Sequence, residues 1–258
     1  MVAEAAESEL VGADECEVCH EEVGGYLPAP DYHADCEACH GPGELHADSE
    51  ELTEIRFPAN ADCLACHETG RSTHMAWSTS EHERAGILCS DCHDTHNREP
   101  RHVRKASALQ GAILMHARGT TQLCTSCHPD VAAQLNLPSH HPIREGMIGC
   151  TDCHKPHENR RVTLGARTAL CTSCHQDHAG PWIFEHPPVA EDCSLCHSPH
   201  GANADNLLAT NQPGACIACH TVPLGHASTG AATRVHFNRC TDCHGAVHGS
   251  YTDAVLRR

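Results

Sequence analysis

All twenty cysteines of this 258-residue chain fall into ten Cys-x-x-Cys pairs, and a histidine follows each pair at once. The strings begin at Cys16, Cys36, Cys63, Cys89, Cys124, Cys150, Cys171, Cys193, Cys216 and Cys240. Nothing else constrains the fold as much, because CxxCH is the attachment signal of a c-type haem. Thiols three positions apart can each add to a vinyl group of one porphyrin, and the next residue turns its imidazole onto the iron. Cys-x-x-Cys pairs also build zinc ribbons, and twenty cysteines could form a disulfide framework, but neither requires histidine next. With 26 histidines in the chain, random placement would put one after all ten pairs about once in ten billion. The expectation is ten covalently attached haems. Their thioether positions are Cys16, Cys19, Cys36, Cys39, Cys63, Cys66, Cys89, Cys92, Cys124, Cys127, Cys150, Cys153, Cys171, Cys174, Cys193, Cys196, Cys216, Cys219, Cys240 and Cys243. The proximal iron ligands are His20, His40, His67, His93, His128, His154, His175, His197, His220 and His244.

Sixteen histidines lie outside the strings, and they separate an electron carrier from an enzyme. An iron with two protein ligands can only pass electrons, whereas an open distal side can bind and activate a small molecule. A frame recurs in which one histidine stands shortly before a string and another shortly after it. His82 with His96, His141 with His157, His186 with His200, His236 with His248 and, more loosely, His33 with His46 fit this frame. These ten are the expected distal ligands, one for each haem. Which of them serves which iron is not readable, because a histidine after one string can reach back to a neighbouring haem. His74, His102, His116, His140, His178 and His226 are surplus, read as solvated or hydrogen-bonded side chains. His141 is preferred to its neighbour His140 because His141-Pro142 parallels His186-Pro187.

Aromatic residues make up only 3% of the chain, too little bulk for an ordinary core of this length. Porphyrin faces would have to supply the missing apolar surface, so the haem-free chain is expected to be largely unfolded. Periodicity is weak and Gly and Pro interrupt it often. The expected fold is mostly irregular, with short α-helices wrapped round a linear array of ten haems and little or no β-sheet. Helices are expected from about Val103 to Ala117 and from Asp130 to Leu137, the latter ending before Pro138. TQLCTSCHPD at Thr121 returns as TALCTSCHQD at Thr168, and CTDCH at Cys150 returns at Cys240. A two-haem unit copied along the chain explains this, giving a quasi-linear array. A division near residue 128 would leave two five-haem halves, 1–128 and 129–258, or one continuous domain.

The formal charge of −17, with fifteen Arg against two Lys, argues against a nucleic-acid partner. It suits a basic redox partner or a polar channel wall, and equally a solubility adaptation. Arg98, Arg101 and Arg104 are candidate partners for haem propionates, since a guanidinium binds a carboxylate through two hydrogen bonds. Haem attachment to CxxCH takes place outside the bacterial cytoplasm, so the protein is expected to be exported. The opening MVAEAAESELVGADE has neither the basic region nor the apolar run of a secretory signal, which reads as a processed or trimmed chain. No stretch of about 18 apolar residues suggests a transmembrane helix.

The strings CEACHGPGELH, WSTSEHERAGILCSDCHDTH, SHHPIREGMIGCTDCHKPH and FEHPPVAEDCSLCHSPHG resemble those of the decahaem cytochromes of the MtrA, PioA and DmsE type. The likeness runs from about Cys16 to His248. The resemblance implies an elongated bis-histidine ten-haem wire inside an outer-membrane β-barrel porin, joining periplasmic donors to extracellular acceptors such as other multihaem cytochromes. It also implies that His82, His141 and His186 are distal ligands. The expected function is electron transfer between the periplasm and the cell exterior, without substrate chemistry. Ten haems in a row can exceed the ~40–45 Å of a membrane with its headgroups, and a barrel interior is polar enough to take an acidic cytochrome.

Three rivals stand beside this reading. A soluble periplasmic shuttle would purify without a membrane partner. A subunit of an extracellular cytochrome filament would form polymers, which head-to-tail contact permits. A multihaem reductase would need an open iron, a positioned acid or base and a pocket. No sequence cluster supplies that site, and Tyr26, Tyr32 and Tyr251 stand apart.

Overall fold

Residues three and four positions apart share one face of a helix, so a single turn aligns both cysteines and the histidine of a CxxCH string. The computed structural model, which describes residues 9–24, 35–67, 76–93, 96, 119–158, 164–221 and 239–257, builds its motifs this way. Helices span Ala13–Cys19, Cys36–His40, Asn60–His67, Cys89–Cys92, Gly119–Cys127, Cys150–Cys153, Leu164–Thr172 and Gly214–Ile217, with 3₁₀ turns at Cys193–Leu195 and Cys240–Asp242. The motif histidine closes the turn by donating its backbone N–H to the carbonyl of the first cysteine, at 2.9 Å for His20 on Cys16 and 2.8 Å for His154 on Cys150. No helix among the described residues exceeds nine residues.

Aspartates start several of these turns by satisfying N–H groups that a helix leaves unpaired at its beginning. Asp35 accepts from Glu37 N and Asp192 from Ser194 N. Inside CSDC and CTDC, Asp91 and Asp152 reach back to the N–H groups of Leu88 and Gly149 at 2.8 and 2.7 Å.

The chain falls into two compact units, Met1–Leu123 with Lys155–Asn159, and Cys124–His154 with Arg160–Arg258. In the second unit, strand β1 (Ser139–His140) pairs antiparallel with β3 (Gly201–Ala202), and β2 (Phe184–Glu185) with β4 (Gly249–Ser250). These two-residue ladders are the named sheets among the described residues, so the expectation of short helices and very little sheet holds. The expected helix over 130–137 differs in its bounds. It runs Pro129–Gln134, starting at a proline pre-set for the first helical position. It ends at Gln134, capped by the buried Leu135, 3% exposed, and the chain then enters β1. The expected helix over 103–117 lies outside the described residues.

Buried apolar residues among those described are Trp77, Leu135, Ala202 and Ala204, whereas Leu10, Val18, Phe57, Met147, Leu195, Ile217 and others of their size are exposed. Polypeptide packing alone therefore provides little hydrophobic stabilisation. Among the described residues no helix is long and apolar enough to cross a membrane.

Candidate haem-binding sites

Within each unit, several consecutive motifs are neighbours through their cysteines. Burial and then Cys36 push the Cys16 thiol up to about 11, and burial and then Cys63 push Cys89 up to about 12. Burial with Cys193 raises Cys171 to about 11, and burial with Cys240 does the same to Cys216. These shifts belong to free thiols, before thioether bonds replace S–H, and they mark first cysteines that are neighbours. The other steps start from second cysteines. Burial raises Cys39, Cys153 and Cys196, with further contributions from Cys63, Cys174 and Cys219 respectively. Attachment points therefore zigzag along each unit.

Polar side chains tie the same couples. Glu37, 8% exposed, accepts from the N–H groups of Val11, Gly12 and Gly43 at 2.9, 2.8 and 2.8 Å, joining the first two motifs. Burial alone would raise its pKa, but the three donors outweigh burial and hold it below the usual carboxylate range. Asn60 accepts from Cys89 N at 2.8 Å and donates to Glu83 and the Ile87 carbonyl. Arg167 donates to Asp192 at 3.2 Å, and Gln212 accepts from Thr241 N at 3.1 Å.

Histidines come together in pairs. Ring centroids are 6.1 Å apart for His20 and His46, 5.9 Å for His40 and His96, and 5.8 Å for His93 and His157. In the second unit the separations are 6.2 Å for His141 and His175, 5.9 Å for His154 and His200, 5.9 Å for His186 and His220, and 6.2 Å for His197 and His248. Two imidazoles bound through Nε2 to one metal, at about 2 Å each, place their centroids roughly 6 Å apart. Each pair joins one motif histidine to one of the expected distal histidines, so the residues present fit an axially ligated haem. Among the described residues no group of three or more His, Cys, Asp or Glu is arranged to hold a metal ion.

Ring orientation supports the same fit. A carbonyl can only accept, so a histidine whose Nδ1 meets one must carry its proton there, leaving Nε2 with the lone pair a metal needs. His40, His46, His197 and His244 meet the carbonyls of Arg56, Glu51, Asn206 and Val255 at 2.9, 3.0, 2.8 and 2.7 Å. His82 and His141 meet those of Pro156 and Pro199 at 3.2 and 2.6 Å. Burial lowers the pKa of His186, His200 and His248, with His220, His154 and His178 adding to it respectively, and His248 falls to about 4. These rings are neutral at pH 7, the form that coordinates iron.

The neighbours His140 and His141 part company here. His140 has both ring nitrogens engaged, Nδ1 with the Leu137 carbonyl at 2.6 Å and Nε2 with Glu145 at 3.2 Å. Of the other expected distal histidines, His82 stacks 6.4 Å from Trp77, while His33 and His236 lie outside the described residues, as do the surplus His74, His102, His116 and His226. His178, read from sequence as a bystander, sits 4.3 Å from His248 and 6.3 Å from His175. Its spacing from His175 in CHQDH was the available signal. Arg98, Arg101 and Arg104 are outside the described residues, and Arg56 and Arg167 are committed to Asp62 and Asp192.

A family model described as a doubled CXXCH motif matches residues 140–180 and 186–223. The multiheme cytochrome MtrA of Shewanella baltica is 32% identical, over 93% of this chain and 78% of its own length. The C-type polyheme cytochrome OmcB of Geobacter sulfurreducens is 26% identical over 75% of this chain, which corresponds to 24% of that protein. Among solved structures, an undecaheme cytochrome from the S-layer of Carboxydothermus ferrireducens aligns over 86% of this chain and 39% of its own, at 18% identity and a TM-score of 0.20. That last likeness is too small to carry a structural argument. With the CxxCH turns and paired imidazoles in place, the match over nearly the whole chain shows that it belongs to the MtrA family of multihaem c-type cytochromes.

Proposed function

We propose that this chain conducts electrons along ten bis-histidine haems and does so inside an outer-membrane β-barrel porin, between periplasmic donors and multihaem acceptors outside the cell. When bound, each haem supplies a reversible one-electron iron couple. The chain's own residues do the rest. Each cysteine pair would hold one haem covalently, and the two facing imidazoles would hold its iron and leave no position for a small ligand. His33, His46, His82, His96, His141, His157, His186, His200, His236 and His248 are the proposed distal set. The observation that carries this reading is the recurrence of a motif histidine facing a second histidine at 5.8–6.2 Å, centroid to centroid, as in the His93–His157 and His197–His248 pairs.

The zigzag of cysteine contacts supports a row of haems within each unit, and the proposed division is into halves 1–128 and 129–258. The charge of −17 suits the polar lumen of a barrel, and the MtrA kinship supports an exported, periplasmic to outer-membrane setting. A haem assay on the purified protein should give ten per chain, and ferric magnetic resonance should show low-spin iron throughout. Extraction from native outer membranes should bring a barrel with the cytochrome, and vesicles carrying both should oxidise an enclosed donor with an outside acceptor. Recovery without a membrane partner would make it a soluble shuttle, polymers in micrographs would make it a filament subunit, and a high-spin iron that takes up cyanide would end the bis-histidine reading.

A further inference from the structure

Three places in the chain repeat one arrangement, and it links neighbouring haem sites through the backbone. In the first, His82 directs Nδ1 at the carbonyl of Pro156, the residue before His157. In the second, His141 directs Nδ1 at the carbonyl of Pro199, the residue before His200. In the third, the His186 Nδ1 is buried and closes no hydrogen bond, and the backbone that acts on its ring is that of Val247, the residue before His248. In these three places one histidine of a string-flanking pair faces the peptide that leads into a histidine of another.

The ladders explain why in the second unit. β1 and β3 register Ser139 with Ala202 and His140 with Gly201, so the next antiparallel step sets His141 opposite His200. β2 and β4 register Phe184 with Ser250 and Glu185 with Gly249, so the next step sets His186 opposite His248. Facing residues in such a ladder lie about 4.5–5.5 Å apart. Yet the two histidines of each ladder pair with different motifs: His141 with His175 but His200 with His154, and His186 with His220 but His248 with His197.

We infer that each ladder is a coupling clamp that sets one axial ligand on each of two irons at once, and that Gly201 and Gly249 are the positioning residues that allow it. This deepens the bis-histidine reading proposed above and rests on it. A Cβ on Gly201 would lie 2.0 Å from the Gln134 carbonyl oxygen, and one on Gly249 would lie 2.2 Å from the Trp182 ring. Gly249 also sits at φ 146°, where L side chains are strained. The Gln134 obstacle is backbone and cannot swing aside, so a methyl group there must part the strands. Both histidines at the end of the ladder then move together. In the first unit Trp77 takes the ladder's place, with its ring 6.4 Å from His82 and 5.9 Å from His157.

The test compares holoprotein variants by low-temperature magnetic resonance and by carbon monoxide uptake of the reduced protein. His46→Ala, outside any clamp, should open one iron and leave the other signals unchanged. Gly201→Ala and Gly249→Ala should each open or shift the signals of two irons. If a glycine variant fails to mature, His141→Ala decides: one iron opens and the signal of the His154–His200 site shifts with it. A glycine variant with the native spectrum or with one altered iron, or a His141→Ala spectrum with no second shift, overturns the clamp. An open iron already present in the unmodified protein would instead refute the bis-histidine reading itself.

Discussion

The two units reach the same ring separations by different means. In the second, backbone ladders of two residues each carry His141, His186, His200 and His248 into place. In the first, side chains do that work: the buried Glu37 carboxylate gathers three N–H groups, and Trp77, itself hydrogen-bonded to Glu83, lies against His82 and His157. The difference teaches that axial ligation asks little of a fold. It needs a ring at the right distance and an acceptor for Nδ1, and any local structure that provides these will serve. Among the described residues neither unit builds a large apolar core for the purpose.

The most drastic way to break the comparison is to remove the haems. Among the described residues the large buried apolar side chains are Trp77 and Leu135, and at about 1.5–3 kcal/mol for a residue of that size they cannot offset roughly 1–2 kcal/mol per residue of backbone ordering. Circular dichroism of haem-free chain should show no cooperative transition in either unit. A cooperative melt confined to the second would mean that its ladders are self-sufficient.

Glu37→Ala comes next in size. It leaves the Val11, Gly12 and Gly43 N–H groups without their carboxylate, a loss of roughly 3–5 kcal/mol. Amide exchange of the holoprotein should speed up at those residues and stay unchanged around β1 to β4. Acid should act in the same direction. The folded Glu37 pKa lies below its unfolded value, so the unfolded chain binds the proton first. Its contribution is complete above the unfolded value of about 4.3 and drains away as pH falls through the folded one. Asp192, lowered by Ser194 and Arg167 against the opposing effect of burial, gives the second unit the same acid sensitivity. Glu37→Gln should flatten the exchange profile below about pH 4 in the first unit alone. Equal flattening in both units would show that they unfold as one.

Much of the site could be read in the sequence because its chemistry is local. Spacing of three and four fixed the turn that aligns Cys16, Cys19 and His20, and every motif repeats it. Assignment of partners could not be read, since it is not local. His96 faces His40 and His248 faces His197, each across two intervening strings. The ladders responsible are too short to leave an alternating pattern. Gly201 and Gly249 looked like punctuation, and their necessity lies in Gln134 and Trp182, far away in sequence. Nothing local to CEACH marks Glu37 either, because its donors Val11, Gly12 and Gly43 come to it only through the fold.

Trp77→Leu should cost about 3 kcal/mol and disturb the His93–His157 site, because the indole backs His157 at 5.9 Å. Its magnetic resonance signature should be a broadened low-spin signal with all four histidine pairs of the second unit unaffected. A change of the same size at His141–His175 would erase the distinction between side-chain and backbone scaffolding.

The smallest effect on stability is the sharpest on ligation, and it concerns His175. Two rings stand at ligand distance from it, His141 at 6.2 Å and 57°, and His178 at 6.3 Å and 16°. Distance does not choose between them, but local geometry does. His178 shares a single turn with His175, its Nε2 lies 3.5 Å from Asp177, and its ring packs on His248 at 4.3 Å. His141 arrives from a separate strand with Nδ1 already on the Pro199 carbonyl, which commits Nε2 to the metal side. His141→Ala should therefore produce one high-spin iron, whereas His178→Ala should leave every iron low-spin and alter only the signal of the His197–His248 site it leans on. The reverse result would hand the ligand role to His178. The β1–β3 ladder would then position only His200, and the second unit would hold its ligands much as the first does, by local packing instead of paired backbone.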